Sequence, residues 1–302
     1  MSPVQWSKGV SRSFYLSLRL LPAGMREAAA LGYLLARTSD TLADSATRPA
    51  SERLAALEAF GRAVAGAAPP PEWPPALVAA ITDPREQQLL TRTNGLIKLL
   101  ETRPAAEATL VRGVVETIIS GQELDLTRFA AATPDRPVAL PDDLALEDYA
   151  WRVAGCVGEF WTRLGFLTLG HGFSTATEAT LLPMARAYGK GLQLVNILRD
   201  LPADLASGRC YLPVPDPTDR AALLASHRHW LERAGEWVAE GRRYAATLPV
   251  RRLRAASALP AMLAVETLGR LTGASWETLE ARVKVPRRRV YRLLLQAWFQ
   301  QE

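Results

Sequence analysis

Cysteine is scarce in this chain: Cys156 and Cys210 are the only two among 302 residues. Two are too few for a disulfide framework, and neither sits at a metal-type spacing, so a reducing cytoplasm is the expected compartment. Histidine is nearly as rare. His171, His227 and His229 form no zinc-ligand pattern, and the i,i+2 spacing of the last two points their rings to different sides of a helix. Both read as surface residues. No apolar run reaches the roughly 20 residues that a membrane span requires. Val290–Phe299 is short and carries Arg292 and Gln296, so no anchor is expected there. Lys8, Arg12, Arg19 and Arg26 interrupt the early apolar residues, unlike a secretory leader. Strand-like alternation is hard to find, and no Gly-x-Gly-x-x-Gly follows a strand, which excludes a Rossmann-type nucleotide unit.

What is present is apolar and helical. Hydrophobic residues make up 48% of the chain, with eight tryptophans, ample for a large buried core. Helical periodicity covers Met25–Asp44, Ser51–Gly66, Pro84–Leu100, Ala105–Arg128, Leu146–Gly170, Thr175–Asp204, Asp219–Thr247, Arg251–Leu271 and Pro286–Gln300. The breaks have causes. Five prolines fall in Ala67–Pro75 and three in Thr133–Pro141, each removing a backbone donor. Neither stretch is long enough for an interdomain tether, so a single all-α domain over residues 1–302 is expected.

The formal charge of +5 suits phosphorylated substrates, anionic lipid or nucleic acid alike. Two acidic helix faces narrow the choice. Tyr33, Arg37, Asp40 and Asp44 lie at offsets 0, 4, 7 and 11; Gln193, Asn196, Asp200 and Asp204 lie at 0, 3, 7 and 11. Eleven residues return a helix to within about 20° of its starting direction, so each set forms one polar stripe ending in paired aspartates. Like charges one turn apart repel. A hard divalent cation removes that objection, because Mg²⁺ takes oxygen ligands and is commonly held by carboxylates plus substrate phosphates. Either stripe alone reads equally well as a solvated helix face. Both together, among Leu31, Leu34, Leu35, Leu194, Val195, Ile197 and Leu198, predict two Mg²⁺–diphosphate faces lining one pocket. Beyond the second, Gly208 can take a left-handed turn that presents Arg209 as a phosphate clamp. Ser11-Arg12-Ser13-Phe14 is another candidate phosphate contact, which a plain N-cap would also resemble.

These residues carry a resemblance. Ser11-Arg-Ser-Phe14, Tyr33-x-x-x-Arg37-x-x-Asp40-Thr-Leu-Ala-Asp44, Tyr149 with Val153-Ala-Gly-Cys-Val-Gly158, Gln193-Leu-Val-Asn-Ile-Leu-Arg-Asp200-x-x-x-Asp204 and Gly208-Arg-Cys-Tyr-Leu-Pro213 resemble the squalene/phytoene synthase family, in family order. Gly121-Gln-Glu-Leu-Asp125 and Leu259-Pro-Ala-Met262 match it more weakly. The resemblance implies an all-helical isoprenyl synthase bundle with a central cavity, joining two molecules of farnesyl diphosphate head to head. It implies Mg²⁺ on Asp40, Asp44, Asn196, Asp200 and Asp204, and substrate contacts from Ser11, Arg12, Ser13, Phe14, Gln193, Asn196 and Arg199. Tyr33, Arg37, Tyr149 and Arg209 are the implied catalytic residues. Phe14, Tyr33, Phe160 and Trp161 could face a carbocation, although core packing explains each as well.

The first motif resembles the squalene-synthase wording, Asp-Thr-x-x-Asp, which points to squalene formed with NADPH. Dehydrosqualene, phytoene or presqualene diphosphate is the alternative product, and a non-catalytic assembly protein of the same fold is the alternative class. There are departures. Ala43 and Ala203 stand where a glutamate often precedes the last aspartate, Arg152 stands where a tyrosine is common, and Pro202 is expected to kink its helix. Lys284 and Arg287-Arg-Arg289 lie in no nucleic-acid motif, so no nucleic-acid partner is expected. No obligate protein partner is evident, and a peripheral contact with the inner membrane face is expected for release of an oily product.

Overall fold

Apolar residues three and four apart drive almost every segment into amphipathic helix, whose buried stripe then finds a neighbour. The computed structural model describes residues 18–44 and 48–299. It is an all-α protein with thirteen α-helices among the described residues. These are α1 (Ala23–Ala43), α2 (Ala50–Ala65), α3 (Pro75–Ala79), α4 (Pro84–Thr91), α5 (Thr93–Glu101), α6 (Ala105–Arg128) and α7 (Asp143–Ala150). After a π-helical turn at Trp151–Gly155 come α8 (Cys156–Leu169), α9 (Glu178–Leu205), α10 (Arg220–Ala246), α11 (Arg251–Leu271), α12 (Trp276–Glu280) and α13 (Arg287–Phe299). Two-residue strands β1 (Val138–Ala139) and β2 (Arg209–Cys210) pair in parallel, Val138 opposite Arg209.

The helix starts are chemically marked. Asp83, Asp142, Thr177, Asp219 and Ser275 accept backbone N–H groups at the starts of α4, α7, α9, α10 and α12. The segment expected as one helix over Pro84–Leu100 breaks at Arg92, because the Thr93 hydroxyl takes the Leu90 carbonyl at 2.7 Å and itself accepts from Trp73 Nε1 at 3.0 Å. The short α3 and α12 are additions to the sequence reading. Their apolar periodicity spans little more than one turn.

Contacts gather into two compact units, residues 1–127 with 160–173 and residues 128–159 with 174–302. In the first, α1 packs on α2, α4 and α5 and buries Met25, Leu31, Leu34, Leu35 and Leu42. In the second, α9 packs on α10, α11, α7 and the π-helical turn. That packing needs glycine. A Cβ on Gly189 would lie 2.3 Å from the Ala154 carbonyl oxygen, and one on Gly158 would lie 2.1 Å from that of Ala185. Gly208 has φ +82° and turns the chain from α9 into β2, as its place in the sequence predicts.

Prolines 183, 202 and 260 lie inside helices. Pro202 does not end α9, which continues to Leu205. His227, expected on the surface, is buried in α10, and His229 is exposed. The ring of His227 lies 3.2 Å from the carbonyl oxygen of Leu198 through Nε2. Its neighbours Leu223 and Trp230 are also buried, so a polar residue has been drawn to the apolar side of the helix.

Candidate functional site

The first acidic face is the end of α1. Tyr33, Arg37 and Asp40 are half-buried, and Asp44, exposed, is the residue that caps the helix with its N–H on the Asp40 carbonyl at 2.8 Å. Arg37 reaches Asp40 at 3.4 Å and also pairs with Glu86 of α4. Gln122, on α6, donates from Nε2 to Asp40 Oδ1 at 2.6 Å. Its other amide atom, Oε1, is buried and makes no hydrogen bond. Removal from water pushes the Asp40 carboxyl up to about 6; Arg37 opposes this, Asp44 adds to it and Gln122 opposes it.

The second face is the end of α9. Gln193, Asp200 and Asp204 are half-buried and Asn196 is exposed. Arg199 holds both carboxylate oxygens of Asp200, Nε at 3.1 Å and Nη2 at 2.5 Å. Arg209, at the start of β2, donates to Ser207 Oγ at 3.2 Å. Tyr149 stacks on Tyr211 with ring centroids 4.8 Å apart and hydroxyls 3.5 Å apart, while Phe129 meets Tyr211 edge-on at 5.3 Å. Arg152 pairs with Asp148 at 2.9 Å. Ser11, Arg12, Ser13 and Phe14 lie outside the described residues.

One property is common to both faces. Each aspartate pair sits at the C-terminal end of its helix, where backbone carbonyls already make a negative pole, and neither helix has a basic residue in its last turn. Carboxylates there add to that negative pole, which the guanidinium groups of Arg37 and Arg199 offset at Asp40 and Asp200.

A model of the squalene/phytoene synthase family matches residues 7–289. The chain belongs to that family. It is similar to the presqualene diphosphate synthase of Rhodopseudomonas palustris, with 33% identity over 204 residues, 67% of this chain and 58% of that protein. The presqualene diphosphate synthase of Zymomonas mobilis subsp. mobilis is 30% identical over 213 residues, 70% of this chain and 60% of that protein. The chain thus spans less than two thirds of the length of these curated relatives. The squalene synthase TcSQS, solved with a ligand, shares the fold at a TM-score of 0.79 and 23% identity, covering 98% of this chain and 84% of that one. The fold is that of the isoprenoid synthases.

In this member of the squalene/phytoene synthase family, the donors present bear on Mg²⁺ binding. Among the described residues no three His, Cys, Asp or Glu side chains cluster closely enough to hold a metal alone. Each face instead offers two carboxylates and an amide oxygen source, Gln122 in the first and Asn196 in the second. All are hard oxygen donors, and the unbonded Gln122 Oε1 is an acceptor beside Asp40 with capacity to spare. This set fits a cation whose remaining sites are filled by water and phosphate oxygen. Arg199 occupies the oxygens of Asp200, so a cation there must share or displace it.

Glu86 is a residue that sequence reasoning missed, and Gln122 appeared only within a weak family match. Glu86 lies in the first turn of α4, where an acidic residue looks like ordinary helix-start chemistry. An open depression in the second unit, bordered by residues 137–144 and by Pro213, Val214, Pro215 and Pro217, contains none of the expected site residues.

Proposed function

We propose that this protein is a prenyltransferase joining two molecules of farnesyl diphosphate head to head into presqualene diphosphate. The observation that carries it is the pair of aspartates at the negative pole of a helix, built once in each unit. The names of the two curated relatives support the choice of substrate and product. Asp40 and Asp44, with Gln122, would hold Mg²⁺ in the first unit, and Asp200 and Asp204, with Asn196, would hold it in the second. Bound there, the ion neutralises charge developing on a departing diphosphate.

In the proposed reaction the C1–O bond of one farnesyl diphosphate breaks, and pyrophosphate leaves with the electron pair. The double bond of the second molecule attacks the allylic cation, and loss of a proton closes the cyclopropane. Arg37, Arg199 and Arg209 bring fixed positive charge to phosphate oxygens. Tyr33 and Tyr149 are the candidates to receive the proton or to stabilise the cation through their ring faces. The reaction requires that water, which would trap the cation as an alcohol, be kept from it.

The Asp40-Thr-Leu-Ala-Asp44 wording favours a second reading, in which NADPH delivers hydride after a second ionisation and the product is squalene. Incubation with farnesyl diphosphate and Mg²⁺, with and without NADPH, separates them. Presqualene diphosphate in both arms supports the first; squalene only with NADPH supports the second; unconsumed farnesyl diphosphate defeats both.

A lipid contact is part of the proposal. Among the described residues no helix is long and apolar enough to cross a membrane. On α13, however, Tyr291, Leu295 and Phe299 recur every four residues and are exposed, with Arg287, Arg288 and Arg292 exposed on the same helix. Arg289 instead turns inward to Glu266 at 2.9 Å. Cations beside an exposed apolar stripe suit an anionic bilayer surface. Flotation with phosphatidylglycerol vesicles, lost in the L295D/F299D variant, is the expected result; sedimentation with protein alone would indicate self-association instead.

A further inference from the structure

A proline inside a helix leaves the carbonyl four residues earlier without its N–H partner. For Pro202 that carbonyl belongs to Leu198, whose residue is fully buried, so water cannot easily substitute. His227 Nε2 lies 3.2 Å from this same oxygen. A carbonyl only accepts, so the ring donates, which fixes the Nε2–H form. The bond runs from α10 to α9, and burial holds the His227 pKa below its ordinary value, so the ring is neutral near pH 7.

The other two helical prolines give a contrast. Pro260 in α11 deprives the carbonyl of Ala256, also a buried residue, whereas the Tyr188 hydroxyl donates to the following carbonyl, Ser257 O, at 2.9 Å. For Pro183 the deprived carbonyl is that of Ala179, an exposed residue that water can reach.

Pro202 differs from Pro260 in its position between Asp200 and Asp204. We propose that His227 is a positioning residue for the second acidic face: it supplies from α10 the hydrogen bond that Pro202 withholds, and so holds the turn that presents the two aspartates. The turn's geometry then depends on a neighbouring helix as well as on its own backbone ladder. This inference rests on the reading of Asp200 and Asp204 as Mg²⁺–diphosphate residues. A partner behind the ligands typically changes metal affinity by about 10- to 100-fold when lost.

The test uses the whole chain in four forms: His227→Leu, His227→Gln, Pro202→Ala and the P202A/H227L pair. Two readouts need no turnover. One is amide hydrogen exchange of residues 201–206 in metal-free protein. The other is the Mg²⁺ concentration giving half of the thermal shift produced with inorganic pyrophosphate. His227→Leu should lose protection in that turn and need roughly tenfold more Mg²⁺. His227→Gln, which keeps a donor, should fall between it and the parent. In the P202A/H227L pair the backbone N–H regained at position 202 can reach the Leu198 carbonyl, so both readouts should return close to the parent's. If His227→Leu does not fold, the pair is compared with Pro202→Ala, and equal Mg²⁺ response in the two is then the expected result. A general loss of stability with unchanged Mg²⁺ response, or failure of Pro202→Ala to rescue, overturns the proposal. Absence of any Mg²⁺–pyrophosphate response in the parent would defeat the proposed function itself, a separate outcome.

Discussion

The two acidic faces look alike in sequence and are held in different ways. At the end of α1, side chains from two other helices converge: Glu86 shares Arg37, and Gln122 reaches Asp40. At the end of α9, support comes from the preceding residue, Arg199, and from backbone repair, His227 to Leu198. The first face is tuned by polar neighbours around its carboxylate, and the second by the path of its own helix. Equal residue types therefore do not require equal construction.

The largest expected effect treats the faces as equals. Asp40→Ala and Asp200→Ala should each lower turnover of farnesyl diphosphate by at least about 10²-fold, the scale for losing one group that stabilises developing charge. Circular dichroism should show helicity intact, because each change removes a repelling carboxylate. Parent-like turnover in either variant would confine the chemistry to the other face.

A second pair of changes separates the supports. Gly189→Ala, on the helix of the second face, puts a Cβ 2.3 Å from a backbone carbonyl and should destabilise by about 1–3 kcal/mol in urea unfolding. Gly32→Ala, on the helix of the first, meets only the Phe160 ring at 3.3 Å. Alanine's better helix propensity, about 1 kcal/mol, offsets that contact, so near-neutrality is expected. Equal losses would show that both helices depend on close backbone approach.

The third sharpens the electrostatic contrast. Folded Asp40 holds its proton more tightly than the unfolded chain does, with a pKa of about 6 against 3.8. Its contribution to stability therefore falls as pH rises from about 4 to about 6 and is level above that window. Asp40→Asn should remove this slope and raise the melting temperature of metal-free protein at pH 7. A melting temperature with the same pH slope in both forms would contradict the assignment.

The smallest effect belongs to His227. Burial lowers its pKa, with Arg228 adding to the effect and the bond to Leu198 opposing it, so folded protein resists protonation that the unfolded chain accepts. Stability attributable to it is present above the unfolded value near 6.5 and is lost as pH falls below it. His227→Gln keeps a donor without titrating, so its melting temperature should depend less on pH between 6.5 and 5. An unchanged dependence would assign that acid sensitivity elsewhere.

Much of this was legible in the chain itself. The helices of Ala105–Arg128 and Arg251–Leu271 coincide with their apolar periodicity, because that signal is local and repeats over several turns. The acidic stripes were equally legible, since eleven-residue spacing fixes a helix face. Gly208 was legible as a turn because few other residues adopt its backbone angles. His227 was not: a single polar residue gives no sign of which helix side will be buried. Nor was the split at Arg92, which depends on a threonine hydroxyl capturing a carbonyl.

The sequence by itself determined an all-helical chain, two polar stripes ending in paired aspartates and, through its motifs, the family to which it belongs. The helices and stripes follow from periodicity and spacing along the backbone, the family from the resemblance of its motifs. Tertiary structure alone decided that Gln122 would meet Asp40, that Glu86 would share Arg37, and that His227 would reach the helix carrying Asp200. Each of those contacts joins residues far apart in the chain or rests on burial, and hydrogen bonds at such range depend on how helices pack.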